Sequence, residues 1–212
     1  MAIKMIQLRR KAIYPEKLEI LYDTPLSEES LARDFEIKGG KWYMEDGWLI
    51  GENRESSAAM IMSKGEYFGD VLVEFDAATV LPATRDINVT FHGSWNEEKN
   101  TREMGYVFGI EGWWQGLVGF EKSPDYKFVV NTKLFDFVPG KTYHVEVGNL
   151  GNDLFMAIDG VLAFEISDPD PIDIEKYGRI GLEAFCTKVK YKNLKVKRAD
   201  SVNNFKPYTP EF

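Results

Sequence analysis

Two histidines occur among the 212 residues, and one of them, His92, closes the run Ile87-Asn88-Val89-Thr90-Phe91-His92. An imidazole titrates near neutral pH, so it can act as general acid or general base. A polar and aromatic stretch follows it: Trp95, the loop Asn96-Glu97-Glu98-Lys99-Asn100-Thr101-Arg102, and then Glu111-Gly112-Trp113-Trp114-Gln115-Gly116. Flat aromatic faces stack on the C–H side of sugar rings, while acids, amides and guanidinium groups bind the hydroxyls. Trp95, Trp113 and Trp114 therefore group with Asn88, Arg102 and Glu183 as substrate-binding candidates, and His92 and Glu111 as the catalytic pair. A bland reading stands beside this one. Lone histidines are commonly structural, tryptophans commonly pack a core, and acids on an exposed sheet face commonly serve solubility.

Other chemistries have weaker support. Asp86, His92 and Glu111 could ligate a metal, but no ligand-spacing motif backs them, and no metal is expected. The single cysteine, Cys186, follows Phe185 with no local partner, and Ser94 lacks a nucleophile elbow. There is no phosphate-cradling glycine loop and no dinucleotide fingerprint, so no cofactor is expected. The run Lys188, Lys190, Lys192, Lys195, Lys197, Arg198 alternates with Val189, Tyr191, Leu194 and Val196, as a strand with one wet face does. With a formal charge of −8 the chain is not a general nucleic-acid binder. No apolar run of roughly 18 residues exists to span a membrane. The N-terminus lacks a basic region followed by an apolar run, and the unpaired cysteine suits a reducing compartment, so the expected location is cytoplasmic.

The elements that must carry these residues are β-strands. Period-two alternation recurs in short runs punctuated by Gly, Asp, Asn and Pro. Strands read at 18–22, 42–44, 48–50, 58–62, 71–79, 87–92, 105–111, 116–121, 127–130, 142–148, 154–158, 161–164, 178–185 and 188–197. Asp46-Gly47 and Asp159-Gly160 suit tight hairpin turns. One short helix reads over 27–33 with Ser27 as its cap. The class is all-β, a two-sheet antiparallel sandwich, with an N-terminal extension over 1–17, the sandwich over 18–198 and a tail over 199–212. Strict alternation puts Asn88, Thr90, His92, Glu111 and Glu183 on a face away from the core. If their strands are neighbours, that face is a polar groove. The tail, with Phe205, Tyr208 and Phe212, fits packing on its own domain and packing in a homo-oligomer equally well.

Residues 39–51 (Gly39-Gly40-Lys41-Trp42 to Ile50-Gly51), 66–75, 140–147, Ile158-Asp159-Gly160, 178–182 and 191–196 together resemble a concanavalin A-like jelly roll. Within that superfamily the sequence is most similar to the 3-keto-disaccharide hydrolase family, over about residues 18–198. The resemblance implies a small saccharide or glycoside bound on one sheet. Glucanases of this fold carry Glu-x-Asp-x-x-Glu. Here Glu74-Phe75-Asp76-Ala77-Ala78-Thr79 ends in threonine, which removes the pair that retaining hydrolysis needs. The expected activity is therefore cleavage of a glycosidic bond in a small, 3-keto glycoside. A C3 ketone acidifies the C2 proton, so one base, His92 or Glu111, could start elimination. The alternatives are a non-catalytic carbohydrate-binding module and a laminin-G-like partner-binding domain.

Overall fold

A computed structural model describes residues 4–55, 57, 59–112, 116–125, 129–133 and 135–204. The N-terminal part contains β1 (Ile6–Gln7), β2 (Lys11–Ile13), β3 (Ile20–Tyr22), helix α1 (Glu28–Asp34), β4 (Phe35–Ile37), β5 (Lys41–Glu45), β6 (Trp48–Asn53) and β7 (Met60–Ser63). The middle contains β8 (Val71–Thr79), β9 (Ile87–Asn96), β10 (Thr101–Ile110), β11 (Val118–Ser123) and β12 (Val129–Thr132). The last part contains β13 (Tyr143–Leu150), β14 (Asp153–Ile158), β15 (Val161–Ser167), β16 (Arg179–Glu183), β17 (Thr187–Arg198) and β18 (Val202–Asn203).

Two antiparallel sheets make the sandwich, which is the expected jelly-roll class with one helix. One runs β12-β11-β10-β9-β16-β7-β4 and the other β15-β14-β13-β8-β17-β6-β5, with β3 added on β17. Their inner faces meet in a core rich in aromatics. Phe91, Phe108 and Phe120 come from the first sheet, Phe75, Tyr143 and Tyr191 from the second, and all are 0% exposed. Each such side chain contributes on the order of 2–3 kcal/mol by leaving water. Asp46 and Asp159 take positive φ (50° and 51°) ahead of glycines, so both Asp-Gly pairs form the hairpin turns read from sequence. Helix α1 is capped by Ser27, whose hydroxyl accepts from the Ser30 amide while the Ser30 hydroxyl accepts from the Ser27 amide.

Residues 6–13 and 202–203 come together. β1, β2 and β18 form a small third sheet on the outer face of the second sheet. Ile6, Leu8 and Ile13 pack there on Leu72, Phe155 and Ala157, burying a second, smaller core. The tail thus packs on its own domain at Val202–Asn203, while Phe205, Tyr208 and Phe212 lie outside the described residues. Among the described residues, no helix is long and apolar enough to cross a membrane.

Candidate functional site

One irregularity in β9 decides which residues share a face. Glu183 pairs with Asn88 and Gly181 with Thr90, but Arg179 pairs with Gly93, so β9 carries one extra residue between Thr90 and Gly93. The same shift appears against β10, where Tyr106 pairs with Phe91 but Met104 with Ser94. An extra residue reverses the in–out parity of everything beyond it. His92, at φ 49° inside this bulge, turns inward, and Trp95 turns outward.

His92 is therefore not on the groove face where strict alternation places it. It is 0% exposed, lies between the sheets, and contacts the rings of Phe91 and Tyr106. Its Nδ1 is 3.1 Å from the Tyr177 carbonyl oxygen and its Nε2 2.9 Å from Asn149 Oδ1 on the opposite sheet. Burial pushes its pKa below the usual imidazole value. With both nitrogens engaged and no exposure, it is a clamp between sheets rather than a base open to substrate. Glu111 is tied into its own turn. It sits at φ 53° in the β10–β11 turn, its amide donating to the Leu117 carbonyl and its carboxylate accepting from the Gly116 amide at 2.8 Å. It holds its own turn together. Trp113 and Trp114 lie outside the described residues. Among the described residues no three His, Cys, Asp or Glu side chains are arranged to hold a metal ion, so Asp86, His92 and Glu111 do not converge.

The outer face of the first sheet does gather ionisable groups, and β9, β10 and β16 are neighbours as the groove requires. Register places Glu121, Val107, Thr90, Gly181 and Met62 in one row across it, and Gly119, Gly109, Asn88, Glu183 and Met60 in the next. Arg102, opposite Trp95, reaches into these rows. Its Nη1 donates to Glu183 Oε1 at 2.5 Å and to Thr90 Oγ1 at 3.3 Å, and its Nε donates to Ser123 Oγ at 2.6 Å. Its Nη2 lies 3.6 Å from Glu121 Oε1. Thr90 Oγ1 also donates to Glu183 Oε1. Asn88 donates to Asp86 Oδ1 at 2.6 Å, and the buried Tyr191 hydroxyl ties the Asn88 and Glu183 backbones together.

Arg102, Glu121 and Glu183 are each at most 8% exposed. A buried carboxyl resists ionising unless positive charge offsets its lost hydration. Burial pushes Glu121 up to about 8; Arg102 opposes the rise, while Glu183 and Asp86 add to it. Burial likewise pushes Asp86 up to about 7, against the Asn88 hydrogen bond and with the help of Glu183. Two polar atoms on this face, Glu121 Oε2 and Trp95 Nε1, are buried with no hydrogen-bond partner. Native proteins rarely tolerate such orphans without a reason, because each costs about 1–3 kcal/mol.

Trp95 is 8% exposed. It packs on Met60 and Met62, with Lys38 Nζ 5.9 Å from the ring centroid. The bulge thus puts it on the outer face, but with much of its ring covered. Of the sequence-derived set, the structure brings together Asn88, Trp95, Arg102 and Glu183. It adds Glu121, Thr90 and Ser123. Glu121 could have been found by alternation, since Phe120 points to the core and its neighbour must point away.

This arrangement can abstract a proton at a buried carboxylate and stabilise developing negative charge at a guanidinium. A family profile described as a 3-keto-alpha-glucoside-1,2-lyase-like domain matches residues 24–197. No curated protein matches the sequence. Among solved structures, the carbohydrate-binding module CBM66 from Bacillus subtilis is similar at 17% identity and TM-score 0.63, covering 77% of this chain and 95% of that one. A Bacillus subtilis protein of unknown function with a galectin-like fold is 14% identical at TM-score 0.63, covering 85% and 96%. The endo-beta-1,3-glucanase from Pyrococcus furiosus is 12% identical at TM-score 0.62, covering 94% and 99%. These likenesses establish the sandwich fold and carry nothing finer.

Proposed function

The chain belongs to the 3-keto-alpha-glucoside-1,2-lyase-like domain family, and on that premise we propose that it cleaves the glycosidic bond of a small 3-keto glycoside by elimination across C1 and C2. The observation that carries the proposal is Glu121 Oε2, a buried carboxyl oxygen with no hydrogen bond, on a carboxylate beside Arg102. Glu121 takes the proton from C2, and the C–H electron pair forms an enediolate with its charge on the C3 oxygen. Arg102, held in place by Glu183, Thr90 and Ser123, stabilises that charge. The C3 carbonyl then re-forms, a double bond forms between C1 and C2, and the C1–oxygen bond breaks. The proton held by Glu121 returns to the departing alkoxide, so the step needs no co-reactant. A carboxyl whose pKa lies about 8 is a stronger base than an ordinary glutamate and matches this task better than an ionised surface acid.

The test compares 3-keto glycosides with their unoxidised parents and follows the ultraviolet absorbance of the enone product. Turnover of the oxidised set alone is expected, with Glu121→Gln reducing it by on the order of 10²-fold or more. Absence of enone from every 3-keto glycoside, or unchanged turnover in Glu121→Gln, overturns the proposal. The second reading is a carbohydrate-binding module without turnover, favoured by the engagement of Glu183 Oε1 by both Arg102 and Thr90. Calorimetric binding of the same glycosides with no product after long incubation selects it.

A further inference from the structure

The outer face of the second sheet divides into two halves. The small third sheet covers the half around Leu72, Phe155 and Ala157. The other half, made by β17, β6 and β5, carries lysines over aromatic rings. Lys190 and Lys192 place their Nζ atoms 4.5 and 4.2 Å from the Trp48 ring centroid. Lys41 and Lys188 place theirs 4.8 and 5.9 Å from that of Tyr43. These rings face outward because their strand neighbours Leu49 and Trp42 pack against the core.

The ion-pairing pattern separates these lysines from the rest of β17. Lys195 pairs with Asp23 and Lys197 with Glu74. Among the described residues, Lys41, Lys188, Lys190 and Lys192 form no ion pair. Three carboxylates stand near them: Glu52, which pairs with Arg54, lies in register opposite Lys41 and Lys188, Glu45 lies opposite Trp48, and Asp76 of the adjoining strand lies opposite Lys192. With Arg54 engaging Glu52, four unpaired ammonium groups still outnumber these carboxylates on one patch of a chain whose formal charge is −8. Lys188, Lys190 and Lys192 follow one another along a strand at every second residue, spanning about 13 Å. A single small anion cannot satisfy groups so spread, whereas a polymer with repeated negative charges can. Tyr43 and Trp48 lie beneath these ammonium groups yet stay partly exposed, so the ring surface left uncovered suits sugar C–H bonds.

We propose that the β17-β6-β5 face is a docking site for an acidic polysaccharide bearing carboxylates, with Lys41, Lys188, Lys190 and Lys192 binding its charges and Tyr43 and Trp48 its rings. The site is separate from the Glu121 groove, on the other sheet, and does not rest on the elimination chemistry. Native affinity electrophoresis in gels containing polygalacturonate tests it, with a neutral β-glucan, duplex DNA and anionic phospholipid vesicles as comparisons. Retardation by polygalacturonate but not by neutral glucan is expected, and it weakens with salt. Replacing all four lysines by glutamine should weaken binding by about tenfold or more, a loss of about 1.4 kcal/mol. The four-arginine variant should keep it, and Glu121→Gln should leave it unchanged. Circular dichroism of the glutamine variant guards against unfolding, and Trp48→Ala gives an independent loss that leaves every lysine in place. No retardation by polygalacturonate, equal retardation of wild type and glutamine variant, or stronger binding to DNA or vesicles would overturn the proposal.

Discussion

The outer face of the first sheet turns on single side chains and their surroundings. In the proposed elimination Glu121 serves as the base, since burial raises its proton affinity while Arg102 opposes that rise. The proton acceptor must be ionised, so kcat/KM on a 3-keto glycoside should rise with pH and level off above about 8, and replacing Glu121 should remove that inflection. His92 makes the opposite case. Its nitrogens join Tyr177 and Asn149 across the sandwich, so His92→Ala should cost about 2–4 kcal/mol in denaturant unfolding. At temperatures where that variant is still folded, its turnover should stay within about threefold of wild type, a ratio that chemical participation would exceed.

Among the elements, β9 has the largest consequence, because its one-residue bulge sends His92 inward and, with a second shift in β10 between Arg102 and Met104, brings Trp95 beside Arg102. The outer face of this sheet also depends on what is missing from it. At Gly181 an added Cβ would run into the Met60 side chain lying across β16, and at Gly93 it would come within 2.7 Å of Met62. Gly181→Ala should therefore displace the terminal methyl of Met60, at a cost of about 1 kcal/mol or less by thermal unfolding because that end of the side chain is flexible. It should also lower turnover, because Met60 stands in the same row as Glu183. A change in neither quantity would mean that the methionines only fill space.

At the scale of the whole molecule, the buried carboxyls tie stability to pH. Asp86 and Glu121 keep their protons up to about 7 and about 8 in the folded state, whereas in an unfolded chain they release them near pH 4. Between those limits the folded protein binds more protons than the unfolded one, so stability falls as pH rises from about 4 to about 8 and then levels. Thermal unfolding across that range should show this decline, and Glu121→Gln should flatten it. A decline of equal slope in the variant would place the linkage elsewhere. The third sheet adds a structural dependence on residues remote in sequence, since β1 and β18 each pair with β2 and this sheet packs on Leu72 and Phe155.

Much of the fold is set by local information. Alternation marks the strands, Asp46-Gly47 and Asp159-Gly160 mark two hairpins, and Ser27 marks the helix start, because each depends on a residue and its immediate neighbours. The same alternation places Asn88, Thr90 and Glu183 on a common outer face, and it could have placed Glu121 there. The catalytic assignment needed more. A bulge shows itself only when two strands are laid side by side, so the inward turn of His92 and the outward turn of Trp95 are properties of pairing. Arg102, Glu121 and Glu183 come from three strands, and the proton affinity of Glu121 is set by neighbours remote in the chain. By itself, then, the sequence determined an all-β sandwich with a polar face, because period-two patterning is local. Only the tertiary structure decided which acid on that face is buried beside a guanidinium, because desolvation and charge act through space.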